Sequence, residues 1–482
     1  MKKYLLIAAS CFCLLFLAGF AERLHMTGSR LEQPILPPYH SNYTFFSLPQ
    51  HFLNDTTVPP LGYYDSANGV TDEGATLGRV LFYDTRLSIH QEISCASCHI
   101  QEFAFADPNP VSAGQDGSPG IRNSIGLSNG AVPAAGRFFW DCRTDSMSKQ
   151  ILLAITSSIE MNLDTNTLVD RLKQTNFYEP LFQDAFNSPE ITADKSIKAI
   201  SQFVRSMFSF HAKYDYARSG NLFGNIQDPP FAEFTALENQ GLSLFNTHCE
   251  SCHRGALFNT TRAHNNGLDE ISTEEGYAIV SGLQEDYGKF KAPSLRNIAV
   301  TAPYMHDGRF NSLEEVVDFY SDQIQANPNL DPLLKEADGH PKRFLFTETE
   351  KEALVAFLHT LTDQKFMTDP RWSDPFQPDA DPNTIYDSGD FGIYISIEQG
   401  LSGFPIKVFP NPATSRAELQ IHNPQHEPHT VNITNLQGQT LMTYKTKTES
   451  VQIERRNLPA GTYIIHLIKD GYRVGQQKIQ FQ

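Results

Sequence analysis

Two short segments of this 482-residue chain carry reactive side chains at a spacing that chance rarely produces: Cys95-Ala96-Ser97-Cys98-His99 and Cys249-Glu250-Ser251-Cys252-His253. In a C-x-x-C-H element the two thiols add across the vinyl groups of a haem, and the adjacent histidine is placed to bind the iron from one face. A zinc site built from two C-x-x-C pairs is the competing reading, but such pairs stand about 15–20 residues apart. Here more than a hundred and fifty residues separate them, and each pair has its own histidine. A disulfide framework fares no better, because neighbouring C-x-x-C pairs are a poor staple for so long a chain. The sequence therefore implies two covalently bound c-type haems, attached at Cys95, Cys98, Cys249 and Cys252, with His99 and His253 as iron ligands. The opposite face of each iron then decides function. An open position beside a proton-transfer group can activate a small oxidant, whereas a position closed by a strong ligand only passes electrons.

The elements that must hold these groups are mainly helical. Apolar residues recur at helical spacing at Leu77, Val80 and Leu81; at Ile197, Ile200, Phe203, Val204 and Met207; at Leu237, Leu244 and Phe245; at Leu313, Val316, Val317 and Tyr320; and at Leu354, Phe357, Leu358 and Leu361. Thr235 with Glu238, Ser312 with Glu315, and Thr347 with Glu350 fit the capping box at helix starts. Residues 1–21 read as a cleavable secretory signal, with Lys2 and Lys3 before the apolar run Leu5 to Phe20. Cys11 and Cys13 leave with it. Residues 22–62, rich in Pro, Tyr, Asn and Ser, form an irregular lead-in. Beyond about Asp381 the period changes to two, at Val431 and Ile433, Val451 and Ile453, and Tyr463, Ile465 and Leu467, with turn signals at Gly438 and Asp470–Gly471. This predicts a small all-β sandwich tail. Net charge is −17, yet residues 405–482 carry nine Lys/Arg against five Asp/Glu, so the body is more acidic still. That balance excludes nucleic acid as a partner and favours a cationic one, such as a small basic cytochrome.

The body resembles the bacterial di-haem cytochrome c peroxidases and their MauG-type relatives from about Leu77 to about Leu361. The likeness rests on Leu77-Gly-Arg-Val-Leu-Phe-Tyr-Asp84 before the first haem motif, Arg122-Asn-Ser124, Phe139-Trp-Asp141, Leu295-Arg-Asn297 and Ala302-Pro-Tyr-Met-His-Asp-Gly-Arg309. It implies two cytochrome c-like haem domains: a peroxidatic one at 63–225 and an electron-transfer one at 226–380, then a linker at 381–403. It also implies Glu160 above the first iron as the proton-transfer group, Gln150 beside it to orient peroxide, and Trp140 as the relay between haems. A calcium ion held by Asn123, Thr301 and Pro303, and Arg296 at a haem propionate, follow from the same likeness. The bland readings of these residues are a solvated surface for Glu160 and Gln150 and a core position for Trp140.

Two departures from the peroxidase pattern matter. The position sixteen beyond His99, where many such peroxidases place a closing histidine, is Gln115, and no histidine occurs between His99 and His211. The first haem is thus expected to be open at rest. At the second haem, Tyr320 stands where the peroxidases place a methionine, as in MauG-type proteins, with Met305 and His306 as rival ligands. Cys142 replaces a usual glycine and reads as a small buried hydrophobe, and Ala154 replaces a usual proline.

Residues 404–482, with Phe404-Pro-Ile-Lys-Val-Phe-Pro-Asn-Pro412, Leu436-Gln-Gly438 and Leu458-Pro-Ala-Gly-Thr-Tyr463, resemble the type A sorting domain of the type IX secretion system. An Ig-like module is its structural alternative. The resemblance implies export to the periplasm or cell surface of a Gram-negative bacterium through that machinery. Three functions compete: reduction of hydrogen peroxide with electrons from a small redox protein, MauG-like oxidation of a partner protein, and electron transfer without catalysis. A homodimer is compatible with all three.

Overall fold

The computed structural model describes residues 31–37, 41–44, 48–55, 67–131, 136–219, 225–260, 262–377, 406–421, 426, 428–434, 440–469 and 472–482. The expected signal and linker, and the turn signals at Gly438 and Asp470–Gly471, lie outside these residues. The chain divides into two compact units, one reaching Tyr386 and one running from Asp387 to Gln482. Both C-x-x-C-H elements belong to the first, which is mainly helical. Among the described residues no helix is long and apolar enough to cross a membrane.

The first unit is built on two helix pairs. Helix α1 (Asp72–Tyr83) starts where Thr71 Oγ1 accepts the Gly74 N–H and where Asp72 and Glu73 meet the positive end of the helix. Helix α2 (Met147–Thr156) is capped by Ser146 and α3 (Ala193–Arg205) by Thr192. Helix α4 (Ala236–His248) opens on the Thr235–Glu238 capping box. Helix α5 (Leu313–Asp318) follows Ser312, and α6 (Glu348–His359) opens on the Thr347–Glu350 capping box. At α5 the box is displaced: Ser312 Oγ accepts the Glu315 N–H, but the Glu315 carboxylate takes the N–H of Asn311, one residue too early.

Helix α1 packs on α3 and α4 on α6, each pair crossing at a glycine. A Cβ on Gly78 would stand 1.9 Å from the Ala199 carbonyl oxygen, and one on Gly241 1.8 Å from that of Ala353. Only a residue without a side chain permits such backbone approach. Around the crossings Leu77, Val80 and Leu81 bury against Ile200 and Phe203, and Leu242 and Phe245 against Leu354 and Phe357. The periodicity reading of α4 needs one correction, because Leu237 is exposed and Leu242 and Phe245 carry the buried face. The lead-in also has more order than its composition predicts: Gln50–Leu53 forms one helical turn, and Tyr43, His51 and Phe52 are buried.

A buried ionic knot ties this turn to the second helix pair. Arg296 donates two 2.7 Å bonds to the carboxylate of Asp215, while His51 Nε2 lies 2.9 Å from the same carboxylate and Nδ1 2.9 Å from Ser219 Oγ. Burial alone would raise the Asp215 carboxyl, but Arg296, and then the His51 bond, outweigh it and hold it at about 2.

The second unit contains strands β1 (Ile406–Phe409), β2 (Arg416–Ile421), β3 (His429–Thr434), β4 (Thr440–Thr446), β5 (Ser450–Glu454), β6 (Gly461–Lys469) and β7 (Tyr472–Phe481). They form two antiparallel sheets, ordered β1-β2-β5 and β4-β3-β6-β7. Val431 faces Leu467 and Ile433 faces Ile465 across β3 and β6, and Leu419 faces Val451 across β2 and β5. The inward residues of both sheets share one core, as the period of two predicts.

Two stability effects follow. Gly78→Ala drives a methyl group into a carbonyl and should cost about 1–3 kcal/mol by overpacking, read as a lowered denaturation midpoint. Asp215 has a folded value below its unfolded one of roughly 3.9. Its contribution is therefore full above that value and lost as pH falls toward 2. Asp215→Asn should lower stability at neutral pH by about 3–5 kcal/mol and flatten the acid limb of the stability profile.

Candidate active site

The first element begins with a single helical turn, Cys95–Cys98, entered through the Ser94 N–H to Ser97 Oγ bond of 3.0 Å. The chain then turns back on itself: Ala104 and Phe105 both take positive φ, 52° and 61°, and Ile100 pairs with Ala106. This reversal brings the Phe105 carbonyl 2.8 Å from His99 Nδ1. A carbonyl only accepts, so Nδ1 carries the proton and Nε2 is the ligating nitrogen. Burial lowers the His99 value, which keeps the ring neutral.

The second element repeats the device. Cys249 ends α4, Arg254 pairs with Asn259, Phe258 sits at φ 51°, and its carbonyl lies 3.3 Å from His253 Nδ1. Burial pulls His253 down to about 4 and pushes Cys95 and Cys249 each up to about 12. All four thiols are free and half-buried. Each site thus offers two reduced thiols and an imidazole with a fixed free nitrogen, a donor set that fits one covalently held haem. Among the described residues no three His, Cys, Asp or Glu side chains converge as a metal site.

Glu160 lies in the turn after α2, and its charge is felt at both Cys95 and Cys98, which places it beside the first element. Its carboxylate has no hydrogen-bond partner among the described residues, and burial raises its value against a smaller opposing pull from Arg143. The loop before it closes on its backbone: the Gln115 N–H donates to the Glu160 carbonyl at 2.9 Å. The Gln115 side-chain oxygen is buried with no partner among the described residues. Gln150 lies on α2, half-buried, and its amide makes no bond among the described residues.

Trp140 joins the two halves of the unit. Its indole N–H donates to the Asn123 carbonyl at 2.8 Å, its own carbonyl takes the Lys291 N–H, and its ring stands edge-on to His306 at 6.5 Å. His306 stacks on Phe290 at 3.9 Å and lies 3.5 Å from Glu274. The Asn123 N–H donates to the His306 carbonyl, and Nδ2 to Asn109, which leaves the side-chain oxygen of Asn123 free among the described residues. Thr301 and Pro303 belong to the segment just before His306. Cys142 is fully buried, as a small hydrophobe should be.

Arg296, expected at a haem propionate, donates to the Asp215 carboxylate and the Ala256 carbonyl, inside a cage of Phe52, Tyr214 and Phe258. The side chain is fully buried, and its ion pair with Asp215 helps to hold the fold.

Near the second element, Tyr320 sits in a π-helical turn, Phe319–Gln323, directly after α5, an irregularity often found at functional sites. Its hydroxyl is pushed up to about 12, chiefly by burial, with the thiols of Cys252 and Cys249 close enough to add to the effect. Met305 adjoins it at φ 74°. Asn266 Nδ2 reaches both, at 3.3 Å from the phenol oxygen and 3.6 Å from the sulfur. Sequence reasoning missed Asn266, since Asn-Gly at 266–267 signals only a turn, and missed Phe105 and Phe258, whose carbonyls do the work.

Residues 72–222 match the family model described as di-haem cytochrome c peroxidase, and 407–482 match the secretion system C-terminal sorting domain. The methylamine utilization protein MauG of Methylorubrum extorquens is 34% identical over 65% of this chain and 84% of its own length. Cytochrome-c peroxidase IdrP2 of Denitromonas iodatirespirans is 30% identical over 60% and 81%. The crystal structure of a MauG-like protein associated with microbial copper homeostasis superposes with a TM-score of 0.59 at 32% identity, covering 67% of this chain and 98% of that one.

Replacing Cys95 and Cys98 together by Ala, or Cys249 and Cys252, should in each case lower the covalently bound haem from two per chain to one. The mass of the intact protein and its haemochrome absorbance check this.

Proposed function

This chain belongs to the di-haem cytochrome c peroxidase and MauG family, and we propose that it reduces hydrogen peroxide to water at the first haem with electrons that a small redox protein delivers through the second. It is an oxidoreductase of the peroxidase type with two c-type haems, and its sorting domain marks it for export. The observation that carries the finer reading is Glu160: a carboxylate with no hydrogen-bond partner among the described residues, raised by burial, beside the first pair of thiols.

Haem iron, when bound, supplies the open coordination position and the electrons for O–O cleavage. The protein then has to relay one proton within the peroxide. Glu160 would take it from one peroxide oxygen and return it to the other, which departs as the first water; two electrons from the donor and two further protons from solvent would complete the second, so that hydrogen peroxide, two electrons and two protons give two waters. Gln150, with an uncommitted amide, orients the peroxide by hydrogen bonding. Trp140, in edge contact with His306 and bonded to Asn123, offers the polarisable path between the halves. Tyr320 and His253 would be the two protein residues that hold the second iron. Burial of Tyr320 keeps the phenol protonated unless a metal claims the oxygen. The side-chain oxygen of Asn123 and the carbonyls of Thr301 and Pro303 form an oxygen-only set of the kind calcium takes.

The repeated glycine-crossed helix pairs support reading 63–225 and 226–380 as two haem domains. The paired sheets support an Ig-like sandwich at 404–482, addressed to the type IX machinery. Tyr320, in place of methionine, favours a second reading, MauG-like oxidation of a partner protein, in which the electrons come from a side chain of that partner.

The resting ferric protein should show one high-spin paramagnetic resonance signal that disappears on stoichiometric peroxide. Glu160→Gln should keep the signal and lose about 10²–10⁴-fold in reaction rate. In the native protein the rate should fall as pH drops through the raised Glu160 range, and the variant should lack that limb. Two low-spin signals indifferent to peroxide sink the catalytic assignment in favour of electron transfer alone. Turnover with a reduced small cytochrome separates peroxidase from protein oxidation.

A further inference from the structure

Two side chains able to complete the second site share one hydrogen-bonding partner. Asn266 Nδ2 lies 3.3 Å from the Tyr320 oxygen and 3.6 Å from the Met305 sulfur, so the two N–H groups of a single amide serve both. Among the described residues neither Tyr320 nor Met305 makes another side-chain hydrogen bond. Irregular backbone delivers each of them: Met305 sits at φ 74°, where a long side chain is rarely found, and Tyr320 rides the π-helical turn. Both pack against the same apolar cluster of Leu268, Phe319, Ile324 and Leu330. Irregular backbone of this kind persists only where the surroundings over-determine it, and besides that apolar cluster the polar group common to both side chains is the Asn266 amide.

We propose that Asn266 is a positioning residue that holds Tyr320, and not Met305, on the second iron. The inference rests on the reading of Tyr320 as that ligand. An amide N–H given to an oxygen that bears negative charge is roughly twice as strong as a neutral hydrogen bond. Given to a thioether, a weak acceptor, it stabilises little but fixes where the sulfur stands. The amide therefore favours ligation through oxygen and restrains the sulfur in the same act. Because methionine raises the potential of a haem, Asn266 also keeps the second haem at low potential.

The test uses the full-length holoprotein. Asn266→Leu, with Asn266→Ala should Leu prevent folding, is compared with Met305→Leu, Tyr320→Phe and the Asn266→Leu/Met305→Leu double variant. The readouts are the near-infrared absorption of methionine-ligated low-spin iron and the reduction potential of the second haem. The expected result is a methionine band in most of the Asn266→Leu population together with a raised potential, no band in the double variant, and a native spectrum for Met305→Leu. A Tyr320→Phe spectrum identical to the native one removes Tyr320 from the iron and overturns the ligation reading, and this proposal with it. A changed Tyr320→Phe spectrum beside an unchanged Asn266→Leu spectrum and potential overturns the role of Asn266 alone.

Discussion

Everything about the two sites depends on aiming a histidine. An imidazole next to a C-x-x-C pair can rotate, and it binds iron well only when one nitrogen is tied and the other left free. In both elements the tie is the carbonyl of a phenylalanine in the left-handed region, Phe105 and Phe258. A bulky side chain there costs about 1–3 kcal/mol, and the cost is met by burying the same phenylalanine in the core, where each is nearly inaccessible to solvent. The ring thus does two things: its apolar body anchors the loop, and its backbone fixes the tautomer. Helix pairs crossing at Gly78 and Gly241 then supply a rigid floor beneath each loop, because backbones in van der Waals contact leave little room for sliding.

The charged groups divide into those that hold the fold and those left available. Asp215, Arg296 and His51 satisfy one another completely, and Arg122 is likewise committed, to Asp141 and Glu274. Glu160 has no such partner among the described residues, and burial without a partner raises its carboxyl, which favours a group that can both take and give a proton. Two carboxylates in one unit, Asp215 fully buried and Glu160 partly so, therefore move in opposite directions from similar starting values. The sign follows from whether a guanidinium is hydrogen-bonded to them, as Arg296 is to Asp215, or acts only as a weaker charge, as Arg143 does on Glu160.

The chemistry was legible because it depends on short-range spacing: C-x-x-C-H can be read wherever it occurs, and so can Thr-x-x-Glu before a helix. The tail was legible because a period of two allows few arrangements once both sheets need a dry face. Contacts between distant segments were not. Gly78 and Ala199 share no local pattern, and nothing near Arg296 in sequence announces its ion pair with Asp215. The Leu237 misreading has the same origin, since three apolar residues on α4 fit more than one face and only the neighbouring helix selects among them. Ser312 shows the limit of even local motifs, because its glutamate reaches past the expected N–H to Asn311.

The bond made by the Trp140 indole has a consequence of its own. Its N–H is directed at the peptide oxygen of Asn123, and a peptide oxygen accepts a hydrogen bond without being basic enough to take the proton away. An indole placed against a carboxylate or a neutral imidazole could surrender both particles together and come to rest as a neutral radical. In the relay role we propose for it, Trp140 would exchange an electron while keeping its proton, so charge passing through it would return by the way it came or move on, and the ring would not be left chemically altered. Traffic through this junction is for that reason expected to be reversible and indifferent to heavy water.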